Sequence, residues 1–360
     1  MLLLAVLADP ASAQQPIEAP PTAAVPMTPL NVPRLGGRLR AADLGLVINR
    51  ADPYSVAVGA LYAQRRGLGP AQLLEIDLPL RSTLTVAEFE LLRDAIAAAF
   101  GPRIQALALA WTQPYAVQCN SITGALALGF DAELCRQTCG RPSSVSPLFN
   151  SASFRPWTDL RVRPSMLLAA RSVDEASALI DRGVAADASI GRRGAPPAQV
   201  MLLQTADGAR NVRERLYPAP GLLRGAGVNV QVVPAASLSG TTRVVIALTG
   251  SARLDLSSPP GWLPGALADH LTSSGGRLTE PNDQSTALDW LASGATASHG
   301  SVSEPCNHLQ KFPHPQVLLL HYVQGATALE AYWKSVAWPQ QSLFIGEPLA
   351  APFSAPVLPR

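Results

Sequence analysis

Short apolar blocks alternate with segments of helical period along most of this chain. The run DLGLVIN over 43–49 reads as a strand. Asp52 then caps a helix with Pro53 at its first position, and Val56, Ala60, Leu61 and Ala63 supply the inner face up to Gly67. Strand LLEIDL follows over 73–78. A capping box, Thr85-x-x-Glu88, opens a second helix over 85–100, with Phe89, Leu92, Ile96 and Phe100 at helical spacing. IQALALAW over 104–111 is a further strand. Apolar strands alternating with amphipathic helices predict a parallel sheet covered on both faces.

Between 112 and 164 this rhythm fails, and the segment reads as a long insertion rich in serine and cysteine. Helical signals return over 172–182 behind the capping box Ser172-x-x-Glu175, and GRRGAPPA over 191–198 is a loop that marks a boundary. A second series follows: strand 200–205, helix 211–217, strands 228–234 and 243–250, a strand or helix start near 266–272, helix 285–294, strands 296–302 and 317–322, and helix 326–336. The stretch 346–353 reads as a final turn along the sheet edge. The expected fold is α/β, a doubly wound, mostly parallel sheet in two halves: 41–190, carrying the insertion 112–164, and 198–355.

With 360 residues, 48% hydrophobic and 15% charged, the chain can bury a large core, which excludes disorder along its whole length. A formal charge of +2 is too weak a field to gather nucleic acid or an anionic membrane. The opening MLLLAVLADPASA joins an apolar stretch to Ala11-Ser12-Ala13, the small-x-small form of a signal peptidase site, although no charged residue precedes the apolar run. Residues 1–13 are therefore expected to be a signal peptide and 14–40 a proline-rich linker, with the mature chain exported to the periplasm or medium. No later stretch is long and apolar enough to span a bilayer. Cys119, Cys135, Cys139 and Cys306 suit an oxidising compartment. A disulfide is expected within the first three, with pairing open and an odd cysteine that could join Cys306. Zinc on that trio would lack a nearby histidine and paired CxxC spacing, so no metal is expected.

All five histidines, His270, His299, His308, His314 and His321, fall in the last quarter of the chain, as does Cys306. In an open α/β sheet, sites form at the carboxyl ends of strands, where the reading places His270, His299 and Cys306. The segment ADHLTSSGGRL sets Asp269, His270, Thr272, Ser273 and Ser274 ahead of Gly275-Gly276, a pair that lets a ligand or another backbone approach. The loop SHGSVSEPCNH adds Glu304, Cys306, Asn307 and His308. The expected catalytic set is Cys306 as nucleophile, His270 as its base, Asp269 and Glu304; the expected substrate-binding set is Thr272, Ser273, Ser274, His299 and Asn307. The spacing His299-x6-Cys306-x-His308 is not a standard metal pattern. GxGxxG, GxxxxGK[ST] and GxSxG are all missing from the sequence, and no cofactor is expected.

From about Asp43 to Phe353 the chain resembles an uncharacterised bacterial family of exported proteins, through NRADPYSVAVGALYAQRRGL, GFDAELC, RPSMLLAA, ADHLTSSGG, GATASHGSVSEPCN and EAYWKSVAWPQQSLFIGEPLA. More distantly, the second half is similar to gingipain-type cysteine peptidases of caspase-like fold, in the order of its strands, the TALDWLASGA helix and the closing Gly346-Glu347-Pro348 turn. That resemblance implies a doubly wound parallel sheet. It also implies a His-Gly after one strand and a Cys after the next, where this chain has Thr249-Gly250 and the segment from His270 to Ser274. The dyad does not carry over. The functional expectation is a hydrolase or transferase of cysteine-peptidase type centred on His270 and Cys306, acting on a substrate such as a peptide. Its rival is a non-catalytic binding or assembly module of the cell envelope.

Overall fold

A computed structural model describes residues 32–191 and 195–355. The expected signal peptide and the linker up to residue 31 lie outside the described residues. The first half holds β1 (Leu44–Asn49), α1 (Pro53–Arg66), β2 (Leu73–Ile76), β3 (Thr83–Leu84), α2 (Val86–Ala99) and β4 (Ala106–Leu109). Helix α1 begins as its sequence requires, with Asp52 Oδ1 accepting the Tyr54 N–H at 3.0 Å, and it stops at Gly67 in the left-handed region at φ 66°. In α2 the Thr85–Glu88 capping box is formed.

The insertion is structured. It carries β5 (Ala116–Val117), β6 (Asn120–Ser121), α3 (Ile122–Leu128), α4 (Ala132–Arg136) and α5 (Pro156–Leu160), followed by β7 (Ser165–Leu167) and α6 (Val173–Ala186). Strands β3, β5 and β6 make a small separate sheet. The second half contributes β8 (Ala198–Gln204), a 3-10 helix at Asn211–Leu216, β9 (Val228–Pro234), β10 (Thr242–Thr249), β11 (Gly261–His270), α7 (Ala287–Ala292), β12 (Ala297–Ser301), α8 (Pro315–Val323), α9 (Ala328–Ser335) and β13 (Ser342–Gly346).

Ten strands form one sheet in the order β2-β1-β4-β7-β13-β12-β11-β10-β8-β9. Every neighbouring pair is parallel except β12 and β13. The two α/β halves are thus continuous through β13, which pairs with β7 on one side and β12 on the other. Helices cover both faces, as the alternating pattern predicts. Side chains of α1, α6, α8 and α9 pack on one face, and those of α2, α3 and α7 on the other. This is a doubly wound, mostly parallel α/β fold.

The segments over 317–322 and 342–346 are among those that differ from their sequence reading. VLLLHY, over 317–322, lies within helix α8. A continuous apolar run has no period to separate a buried strand from a buried helix, and Pro315 at the first helical position decides for the helix. SLFIG is a central strand whose five residues are all buried, too short and too uniformly apolar to alternate. The insertion docks against its start. Ser121 Oγ and Thr123 Oγ1 donate to the Ser342 carbonyl at 2.7 and 2.8 Å. A side chain at Gly124 would meet the carbonyls of Pro339 and Gln340 at 2.6 Å, so only glycine lets α3 lie so close.

Candidate functional site

Strands β10, β11 and β12 end at Thr249, His270 and Ser301, and the loops beyond them form the carboxyl edge of the second half. Two parallel neighbours, Leu248 and Asp269, are in register there, and β12 runs alongside with Ala297 opposite Leu267. Asp269 is fully buried. Its Oδ1 lies 2.6 Å from Arg213 Nη2, and the same nitrogen donates to the Thr249 carbonyl at 2.7 Å. Burial pushes the Asp269 pKa up while the neighbouring Arg213 charge opposes the shift. This pair ties the 3-10 helix to the ends of β10 and β11.

His270 is 1% exposed and both ring nitrogens are engaged. Trp290 Nε1 donates to Nδ1 at 3.0 Å, so Nδ1 is the acceptor; Nε2 must then carry the proton and donate to the Ser285 carbonyl at 2.9 Å. Burial lowers the His270 pKa to about 4. The imidazole is neutral, locked in one tautomer and directed toward α7 and the segment before it. Neither nitrogen is free to take a proton from Cys306.

Cys306 itself is bonded to Cys139, with Cα atoms 5.3 Å apart, and Cys119 is bonded to Cys135, with Cα atoms 5.2 Å apart. The disulfide expected inside the Cys119–Cys135–Cys139 trio is therefore present, and the remaining cysteine pairs across 167 positions. The expected nucleophile is thereby corrected, because a sulfur in a disulfide has no thiolate with which to attack. Glu304, expected as an acid or base, instead accepts the Cys306 backbone N–H through Oε1 at 2.7 Å and shapes the loop.

A cleft of about 260 Å³ opens at this edge. It brings together Thr272, Ser273, Glu304, Cys306 and Asn307, with Leu271 and Phe312 as apolar wall. Arg210, which the sequence reading did not single out, supplies the guanidinium: its Nε donates to Thr272 Oγ1 at 3.2 Å and its Nη1 lies 2.8 Å from Asp207. The Thr272 hydroxyl in turn donates a hydrogen bond to Gln284 Oε1 at 2.6 Å. The signal available in the sequence was Asp207-x-x-Arg210, an acid and a base at i,i+3 just past a strand.

Ser274 does not line the cleft; its hydroxyl donates to Asn282 Oδ1 at 2.9 Å. His299 is fully buried between Phe312 and Phe344, with burial holding its pKa well below the usual imidazole value. It packs in the interior and reaches no surface. The Gly275-Gly276 pair serves backbone approach: Gly276 N–H donates to the Ser301 carbonyl at 2.9 Å, and a side chain at Gly300 would meet the Gly275 carbonyl carbon at 2.3 Å. Among the described residues no group of three His, Cys, Asp or Glu side chains is placed to hold a metal ion.

No family model and no curated protein matches the chain. Among solved structures, one titled "Structure of Protease" is similar at a TM-score of 0.46 and 12% identity, covering 88% of this chain and 79% of its own. The Arg-specific cysteine proteinase gingipain R is similar at 0.45 and 11% identity, covering 90% of this chain and 80% of its own. The kinship with an exported bacterial family finds no matching family model.

Proposed function

We propose that this chain is an exported, non-catalytic binding protein whose carboxyl-edge cleft takes a short peptide segment. The observation that carries the reading is the Cys139–Cys306 bond on the rim of the cleft, which removes the nucleophile a cysteine peptidase requires. The engagement of both His270 nitrogens supports it, since the base is also withdrawn. What remains at the cleft is recognition chemistry: Arg210 and Glu304 give both charge signs, Thr272, Ser273 and Asn307 give hydrogen-bonding groups, and Phe312 gives an apolar wall. A peptide presents all three kinds of partner. Two disulfides agree with an oxidising compartment, and no helix among the described residues is long and apolar enough to cross a membrane.

The test is a comparison of turnover and binding on one preparation. Purified protein, oxidised and after mild reduction, is incubated with a fluorogenic peptide library, and binding is followed in parallel by fluorescence anisotropy. Saturable binding without turnover in either redox state is expected. Peptide cleavage that disappears on thiol alkylation would establish the peptidase reading instead.

A further inference from the structure

The amino ends of the first-half strands carry a second site. Arg40 lies just before β1, Arg103 just before β4, and Arg155 just before α5, which precedes β7, so three chain entries converge at one corner. With Arg38 they line a cavity of about 570 Å³, together with the half-exposed ring of Phe154 and Thr158. A second hollow of about 360 Å³, which adds Arg34, shares Arg38 and Arg40 with it.

Several arginines elsewhere on this protein have carboxylates, and others, such as Arg163, Arg182 and Arg277, donate to backbone carbonyls. Arg65, Arg66, Arg93, Arg171, Arg210 and Arg213 each sit within 3.0 Å of an acidic oxygen. Among the described residues Arg38, Arg40, Arg103 and Arg155 form no ion pair. The one acid in the lining, Asp43, is turned to the backbone, accepting the Arg40 N–H at 2.9 Å. A structural duty for these cations would be to cover the carbonyls at the end of α2. Arg163 already does so: its Nη2 donates to Phe100 and Gly101 at 2.7 and 2.9 Å while its guanidinium stacks on Trp157 at 3.9 Å. The wall is close-packed as well, since a side chain at Gly37 would come within 2.8 Å of the Phe154 ring.

We infer that this corner binds a compact anion of two or more charges, a phosphate-bearing group. Planar guanidiniums present paired N–H donors that fit phosphate oxygens, and four around one hollow can neutralise more than a single carboxylate brings. A free phosphate compound and a phospholipid headgroup offer the same chemistry. The site shares no residue with the cleft beyond β10, β11 and β12.

Inorganic pyrophosphate, titrated calorimetrically into the full chain at physiological salt, is the direct probe, with sulfate as competitor and vesicles of phosphatidylglycerol in phosphatidylcholine as a second arm. Saturable pyrophosphate binding is expected, weakened about tenfold or more in R103E/R155E and to a smaller extent in R103K/R155K, which keeps the charge but loses the paired donors. These side chains have no partner to lose, so circular dichroism and Tm should match the parent; if the double variant does not fold, R155E alone is measured. Pyrophosphate binding without vesicle binding assigns a free phosphate compound, and vesicle binding displaced by pyrophosphate assigns a headgroup. Pyrophosphate heat that sulfate abolishes at equal concentration, or affinity unchanged in the charge-reversal variants, overturns the inference.

Discussion

Arg66, on the last turn of α1, forks onto Glu347 just beyond β13, with Nε 2.9 Å from Oε1 and Nη2 2.7 Å from Oε2. The carboxylate is fully buried, and Tyr62 donates its hydroxyl to Oε1 at 2.8 Å. Arg66 also reaches Asp187 at 2.8 Å, so one guanidinium joins α1, the end of α6 and the exit of the central strand. Removing the cation would strand a buried charge. Arg66→Met should therefore cost about 3–5 kcal/mol of unfolding free energy, by urea denaturation, and Glu347→Gln less, since the amide keeps some of the hydrogen bonds. A loss below about 1 kcal/mol for Arg66→Met would mean the clamp is not structural.

Acid should weaken the fold before any carboxylate of ordinary pKa titrates. His270 and His321 are held at about 4 by burial, and His299 is likewise held well below the usual imidazole value, against about 6.5 unfolded. Between those values the unfolded chain binds protons that the native chain does not, so stability falls as pH drops from about 6.5 toward 4. For His270 alone the difference amounts to about 3 kcal/mol. Asp269 and Glu330, raised by burial, act in the opposite sense at acid pH, so the cleanest reading is the change in slope on His270→Asn. Urea midpoints measured across this range should flatten in that variant; an identical slope would contradict the assignment.

The two disulfides should contribute unequally. Cys119–Cys135 spans 16 positions and Cys139–Cys306 spans 167. In the chain-entropy account these correspond to about 3 and about 5 kcal/mol. Paired alanine variants, compared by denaturation, should place the C139A/C306A protein about 2 kcal/mol below C119A/C135A. The reverse order would show that local geometry, not loop length, governs.

Ser273 lies in the cleft, is partly exposed, and has no side-chain partner among the described residues. Ser273→Trp should fill the cleft, reduce peptide affinity by about tenfold or more, and leave Tm unchanged within a degree or so. Affinity equal to the parent's would place the binding surface elsewhere.

The helices and outer strands were readable because each carries a cap or an apolar stripe that acts locally, as at Asp52, Thr85 and Ser172. The middle of the sheet was not. β7 and β13 are three and five residues long and buried throughout, so their pairing partners, not their pattern, make them strands. At the site, Thr272, Ser273, Glu304, Cys306 and Asn307 were legible as polar residues past strand ends, and the structure sets them in one cleft. Sequence raised the pairing of Cys306 with the odd cysteine of the trio but could not choose it over a free thiol, nor show that Trp290 occupies the nitrogen of His270. Both facts are long-range contacts between segments with no shared pattern.

The position of β13 has a consequence for how the chain is made. Its two neighbours in the sheet, Ser165–Leu167 and Ala297–Ser301, both precede it in synthesis, one by nearly half the chain. Until Ser342–Gly346 emerges, each half presents an unpaired, apolar inner edge of the kind that adds strands from other chains. The protein should therefore depend on a holding factor during biogenesis, and a ribosome-stalled chain ending before residue 342 should be captured by chaperones and cut by protease far faster than one ending beyond Phe353.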